Sequence, residues 1–116
     1  MVMEITERAV GDVTVLRLKG RMILDEGETP LKAAVEGLLQ HGRDNVLLDM
    51  ADVSYIDSAG VGMLVSKYVS VHRHGGMLKL ARVPARVARV LQVTKLLSVF
   101  LVFDTEAEGV ASFSKK

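Results

Sequence analysis

The chain has 116 residues, 49% hydrophobic and 25% charged, enough apolar content for a core and too little length for a second independently folded unit. Fifteen Lys plus Arg against fourteen Asp plus Glu leave a net charge of +1, which disfavours direct nucleic-acid binding driven by phosphate attraction. With no Cys there is no disulfide, thiolate zinc site or cysteine nucleophile, and the composition fits a cytoplasmic protein.

The residues predict a single domain over 1–116. Val13 to Lys19 is rich in β-branched residues, and the Gly11-Asp12 turn joins it to Met3 to Glu7 as an N-terminal hairpin. Thr29 and Pro30 read as N-cap and first residue of a helix that carries Leu31, Ala34, Val35, Leu38 and Leu39 on one face and ends near Gly42. Val46 to Met50 is a short apolar run, the pattern of a strand buried on both faces, with Asp49 conspicuous near its end. A second helix spans about Ser58 to His72, with Val61, Leu64, Val65, Tyr68 and His72 at helical spacing, and Gly75-Gly76 stops it.

Met77 to Ala81 reads as a further strand, and Pro84 opens a shorter helix with Val87, Val90 and Leu91 inward. Phe100 to Phe103 is the last strand, and Thr105-Glu-Ala-Glu108 has capping-box spacing for a terminal helix through Phe113. Strands alternating with helices after a hairpin imply a mostly parallel central sheet with right-handed crossovers and about four helices, an α/β fold. The longest stretch free of acidic and basic side chains is nine residues, Ser58 to Ser66. A bilayer needs roughly 20 apolar residues, so no membrane insertion is expected, and Glu4, Glu7 and Arg8 break any secretory leader.

The informative segment runs from Leu48 to Gly62, out of a strand, through a polar loop and into a helix start, where ligand and partner sites of open α/β sheets gather. Either Asp57 or Ser58 can accept from the free first-turn N–H groups, and Gly60 admits close backbone approach. From spacing alone, Ser58 is most simply an N-cap.

The hydrophobic strand ending in Asp, the Ser/Tyr/Ile-containing loop and the run Asp57-Ser58-Ala59-Gly60-Val61-Gly62 resemble the STAS domain, specifically the small bacterial anti-sigma factor antagonists (anti-anti-sigma factors). The resemblance extends in element order from Gly20-Arg21 to Phe103-Asp104. It implies a STAS-type domain that binds an anti-sigma factor with serine kinase activity and thereby regulates transcription. It further implies a serine at the position of Ser58 that the kinase phosphorylates to end binding, and a metal-dependent serine phosphatase that resets it. Where some relatives carry Ser or Thr this chain has Ala59, leaving Ser58 as the acceptor within the motif.

The expected partner surface comprises Asp57, Ser58, Ala59, Gly60, Val61, Gly62 and Met63, with Asp25 from the loop after Met22. Asp49 and Asp52 support the loop, Asp49 being as well placed for a partner contact as for anchoring. No catalytic residue, cofactor or metal is implied. Another reading of the same fold is a constitutive STAS-like subunit of a bacterial ABC-type lipid or solute transporter.

Enzymatic patterns fit poorly. Gly60-Val-Gly62 lacks the third dinucleotide-fingerprint glycine and there is no Walker lysine. The hydrolase elbow needs Gly where Ile56 stands. His72 and His74 fall at a helix end, where His meets exposed carbonyls. Arg82, Arg86 and Arg89, with Lys79 and Arg73 nearby, read as a solvated basic stripe or a dock for an acidic partner. Met22 and Met63 read as core or rim.

Overall fold

A computed structural model describes residues 3–23 and 28–114. β1 (Glu4–Val10) and β2 (Val13–Met22) form the expected antiparallel hairpin, closed by the Val10–Val13 pair around Gly11, whose φ of +61° a side-chain-bearing residue rarely adopts. There follow α1 (Glu28–Gln40), β3 (Asn45–Ile56), α2 (Ser58–Arg73), β4 (Met77–Ala81), α3 (Ala85–Val93), a 3₁₀ turn (Leu97–Val99), β5 (Val102–Phe103) and α4 (Glu106–Ser112). The strands lie side by side in chain order, β1 antiparallel to β2 and every other pair parallel.

That order decides the layering. Each parallel crossover steps in the same direction along the sheet, and the right-handed rule then stacks α1, α2 and α3 on one face. α4, after the last strand, covers the other. Strand alternation matches both layers. Leu16, Leu18, Val46, Leu48, Leu78 and Leu80 belong to a large core with Leu31, Val35, Leu64, Val71, Val87 and Leu91. Val13, Val15, Leu47 and Ala81 point the other way, against Val110 of α4 and Phe113 at its end. Gly109 lets α4 approach, since a Cβ there would lie 2.8 Å from both Leu47 methyls. Thr105 caps α4 as anticipated, its Oγ1 accepting from the Glu108 N–H at 3.0 Å.

β1 and β2 each run three residues further than the sequence reading, to Val10 and Met22, and other elements differ as well. α1 begins at Glu28, so Thr29 lies inside its first turn; Pro30 is tolerated there because its missing N–H would have no helical partner. β3 runs twelve residues, so Asp52 to Ile56 is strand and not loop: Val53 and Ile56 are buried while Asp52, Ser54 and Tyr55 face solvent. Beyond Asp49 it pairs with β2 alone, and this one-sided pairing lets polar residues occupy it. β5 is two residues long, because Phe100 turns into the helix-side core, edge-on to Tyr68 at 5.4 Å. His72 is exposed and stacks on Tyr68; α2's buried stripe runs through Leu64 and Val71 instead.

The α4 face also carries a charge network that follows from the same alternation. Asp49 is opposite Arg17 in register and has 1% of its side chain exposed. The Arg82 Nε donates to both of its oxygens at 3.1 Å, and Nη2 donates to Oδ2 as well. Glu106, at the start of α4, accepts from Arg17 Nε at 2.7 Å and from Arg8 Nη2 at 2.6 Å. Hydrogen bonding from Arg17 above all holds the Glu106 carboxyl at about 2, below its ordinary 4.5. A depressed carboxyl stabilises the fold above its unfolded value, and that contribution is lost as pH falls through its folded value. Glu106→Gln is therefore expected to be less stable than the parent at neutral pH, with the gap closing between about pH 4.5 and 2. Parallel acid-denaturation curves of the two chains across that window would show that the pairing contributes nothing.

Candidate functional site

At the carboxyl ends of the strands, β3 ends at Ile56 and α2 starts at Ser58 with one residue between them. Asp57 holds an extended backbone, φ −117° and ψ −172°, and its Oδ1 accepts from the Gly60 N–H at 2.9 Å. The Asp57 N–H donates to the Met22 carbonyl oxygen at 3.3 Å, tying the turn to the end of β2. The same oxygen sits against Gly60: a Cβ at that position would collide with it and lie 2.8 Å from Ile56 Cγ1. Gly60 is therefore needed for close approach, as the motif suggested, and not for an unusual φ.

Asp57, and not Ser58, is the cap. Ser58 is the first helical residue, exposed, and among the described residues its hydroxyl has no hydrogen-bond partner. Asp57 and Ala59 are half-buried, whereas Gly60, Val61 and Met63 are buried. Val61 and Met63 thus anchor the helix to the core. Met22, fully buried, is core as well. Asp25 lies outside the described residues.

The outer face of α2 continues the exposed surface from Ser58 through Gly62 to Ser66, one residue per turn, and open space fronts Gly62. Beside the turn stands Tyr55, 48% exposed, next to exposed Ser54, whose carbonyl accepts from Arg86 Nη1 at 2.9 Å. The motif reading names Ser58 and Gly62 of this stripe but not Ser66, and gives Tyr55 no separate role. The i, i+4, i+8 spacing of small residues is the signal for the stripe; Tyr55 carried none while the segment was read as loop.

Asp49 lies on the opposite face, toward α4, paired with Arg82 and Arg17. It also accepts from the Ala51 N–H at 3.1 Å, supporting the chain where the β2–β3 register shifts. Arg82 takes φ +53°, a left-handed backbone uncommon without glycine, to reach that carboxylate. Asp52 is exposed, opposite Lys19 in register, and shares a surface recess with Glu4, Thr6 and Arg17, away from Ser58. The supposed basic stripe is divided: Arg82 and Arg86 are tied to β3. Lys79 is buried on the α4 side, its Nζ donating to Ser112 Oγ at 2.9 Å and lying 4.3 Å from the Phe113 ring centre. Burial pushes the Lys79 ammonium below its ordinary value.

Residues 4–109 match the family model described as the STAS domain. The anti-sigma-B factor antagonist of Bacillus subtilis is 31% identical over 80 residues, 69% of this chain and 72% of its own. The crystal structure of a candidate anti-sigma factor antagonist from Thermotoga maritima superposes with a TM-score of 0.88 at 25% identity, covering 96% of this chain and 95% of that one. The Bacillus cell fate determinant SpoIIAA in its phosphorylated form shares the fold, with a TM-score of 0.72 at 18% identity over 96% of this chain and 98% of that one.

The turn's geometry orders two substitutions. Asp57→Ala removes one cap and is expected to cost about 1 kcal/mol. Gly60→Ala forces α2 away from β2 and is expected to cost roughly 2 kcal/mol or more. Urea unfolding midpoints measure both; a smaller loss for Gly60→Ala would show that the helix start shifts freely.

Proposed function

The chain belongs to the STAS domain family, and from that premise we propose that it is an anti-sigma factor antagonist whose binding is switched off by phosphorylation of Ser58. The observation that carries this reading is the bare Ser58 hydroxyl at the first position of α2, exposed because Asp57 has taken the cap. The names of the similar proteins support the antagonist role, and the phosphorylated form of SpoIIAA supports a fold compatible with phosphate.

The docking surface in this reading is the outer stripe of α2, Ser58, Gly62 and Ser66, with Tyr55 beside it and Asp57 and Ala59 at its head. Small side chains one turn apart let another backbone approach closely, and an exposed aromatic gives such a surface an anchor. The Asp25 loop belongs to the same proposal. The partner is an anti-sigma factor that is itself a serine kinase, and a metal-dependent serine phosphatase reverses the mark. Both work in the cytoplasm, and chemistry is left to them: this chain supplies a positioned hydroxyl.

Magnitudes favour a switch of binding over a switch of shape. Phosphate adds about −1.5 to −2 charges at pH 7. The helix N-terminus returns roughly 0.3–1 kcal/mol for a negative group at an exposed site, so α2 survives the modification. A partner surface matched to a neutral hydroxyl meets instead a doubly charged group beside Asp57, and both repulsion and desolvation oppose contact. Asp49 adds nothing to that repulsion, because Arg82 and Arg17 already compensate it.

Incubation with a cognate kinase-type anti-sigma factor and Mg-ATP is expected to place about one phosphate per chain on Ser58 and none on Ser58→Ala. Ser58→Ala should still bind, while Ser58→Asp should weaken the complex about tenfold or more, as read by titration calorimetry. Undiminished binding by Ser58→Asp, or no phosphate transfer to a chain that binds, would favour the constitutive-subunit reading.

A further inference from the structure

The two edges of the sheet are built differently. β1 exposes Glu4, Glu7 and Arg8 along its length, charges that keep another strand from pairing there. From Leu96 to Phe103, through the 3₁₀ turn and β5, there is no charged residue. Val99, Leu101 and Val102 on this edge are 41%, 52% and 40% exposed, and Val93, at the end of α3 leading into it, is 75% exposed. Four of the six large hydrophobic side chains that stand exposed among the described residues thus fall within ten positions of one another. Scattered apolar residues need no explanation; concentrated ones mark an interaction surface.

The flanks of the run identify the occupant. Lys95 precedes it and Asp104 follows it, both exposed, and among the described residues neither side chain has a hydrogen bond or ion pair. α3 runs back against the strand direction, so Lys95 stands at the start of the β5 edge and Asp104 at its end. The Leu101 and Phe103 carbonyls accept from the N–H groups of Leu80 in β4 and Arg82 just after it. By the alternation of a parallel ladder, the backbone groups of Val102 face away from the sheet.

We propose that this edge is a contact surface for a second copy of the chain, the two β5 edges apposed antiparallel about a twofold axis. A twofold contact is made by the same patch on both copies. Antiparallel apposition sets each Lys95 beside the other copy's Asp104, with the uncharged run in the centre; parallel apposition would set like charge against like. The patch is small against the roughly 1,600 Å² of a stable interface, so the dimer is weak and depends on concentration. β4 separates β5 from β3, and the dimer leaves Ser58 exposed on both copies.

Sedimentation velocity on the full chain, from about 10 μM to 1 mM, tests the inference. The average mass is expected to rise toward two copies at the upper end. Leu101→Glu should hold it at one copy, with an unchanged circular-dichroism spectrum. Lys95→Glu should weaken association, and Lys95→Glu combined with Asp104→Lys should restore it. A parent chain that stays at one copy throughout overturns the proposal. So does association that survives Leu101→Glu, or a double reversal that fails to rescue.

Discussion

One carbonyl oxygen, that of Met22 at the end of β2, sets the position of the functional end of the molecule. It accepts the Asp57 N–H and lies against Gly60. The first turn of α2 therefore rests directly on backbone. Any side chain at position 60 would force the helix outward. With the helix start clamped, Asp57 is the residue positioned to accept from the Gly60 amide, and the hydroxyl of Ser58 is left to solvent. Exposure of a serine is common; here it follows from a cap and a glycine that both face inward at the same turn.

The sheet separates two tasks that the sequence interleaves. Even and odd positions along β2 and β3 face different layers, so neighbours such as Leu48 and Asp49 serve different parts of the protein. Leu48 packs under the helices that carry the motif. Asp49 faces α4 and joins Arg17, Arg82, Arg8 and Glu106 in a network that draws on four strands or their ends and one helix. Burying a carboxylate is costly unless it is paired and hydrogen-bonded. The geometry at Asp49 meets that condition, with Arg82 adopting a left-handed backbone to do so. The electrostatics of the two faces are thereby decoupled. The compensated charges lie under α4, and Asp57 stands beside Ser58 at the start of α2, where added negative charge acts on a partner.

Much of the fold was legible because its signals are local. The Gly11-Asp12 turn, the apolar runs of β3 and β4, Pro84 before α3 and Thr105 before α4 each report on their own few residues, and each is found where the pattern places it. The motif was legible for the same reason: Asp57, Ser58 and Gly60 are contiguous in the chain. Less was visible where pairing is one-sided. Asp52 to Tyr55 are polar enough to read as loop, and only the neighbouring end of β2 makes them strand. Phe100 is apolar in either setting, and contact with Tyr68 removes it from β5.

From the sequence alone follow the alternation of strands and helices, the amphipathic faces and the serine at a helix start, since periodicity and capping involve residues within one or two turns of each other. Tertiary structure alone decided which of two adjacent residues is the cap, which motif side chains are buried, and that Asp49 belongs to Arg82, thirty-three positions away. Those outcomes depend on where the end of β2 and the start of α4 arrive in space. Local spacing carries no information about that, because the chain brings such distant groups together only through packing of the whole sheet.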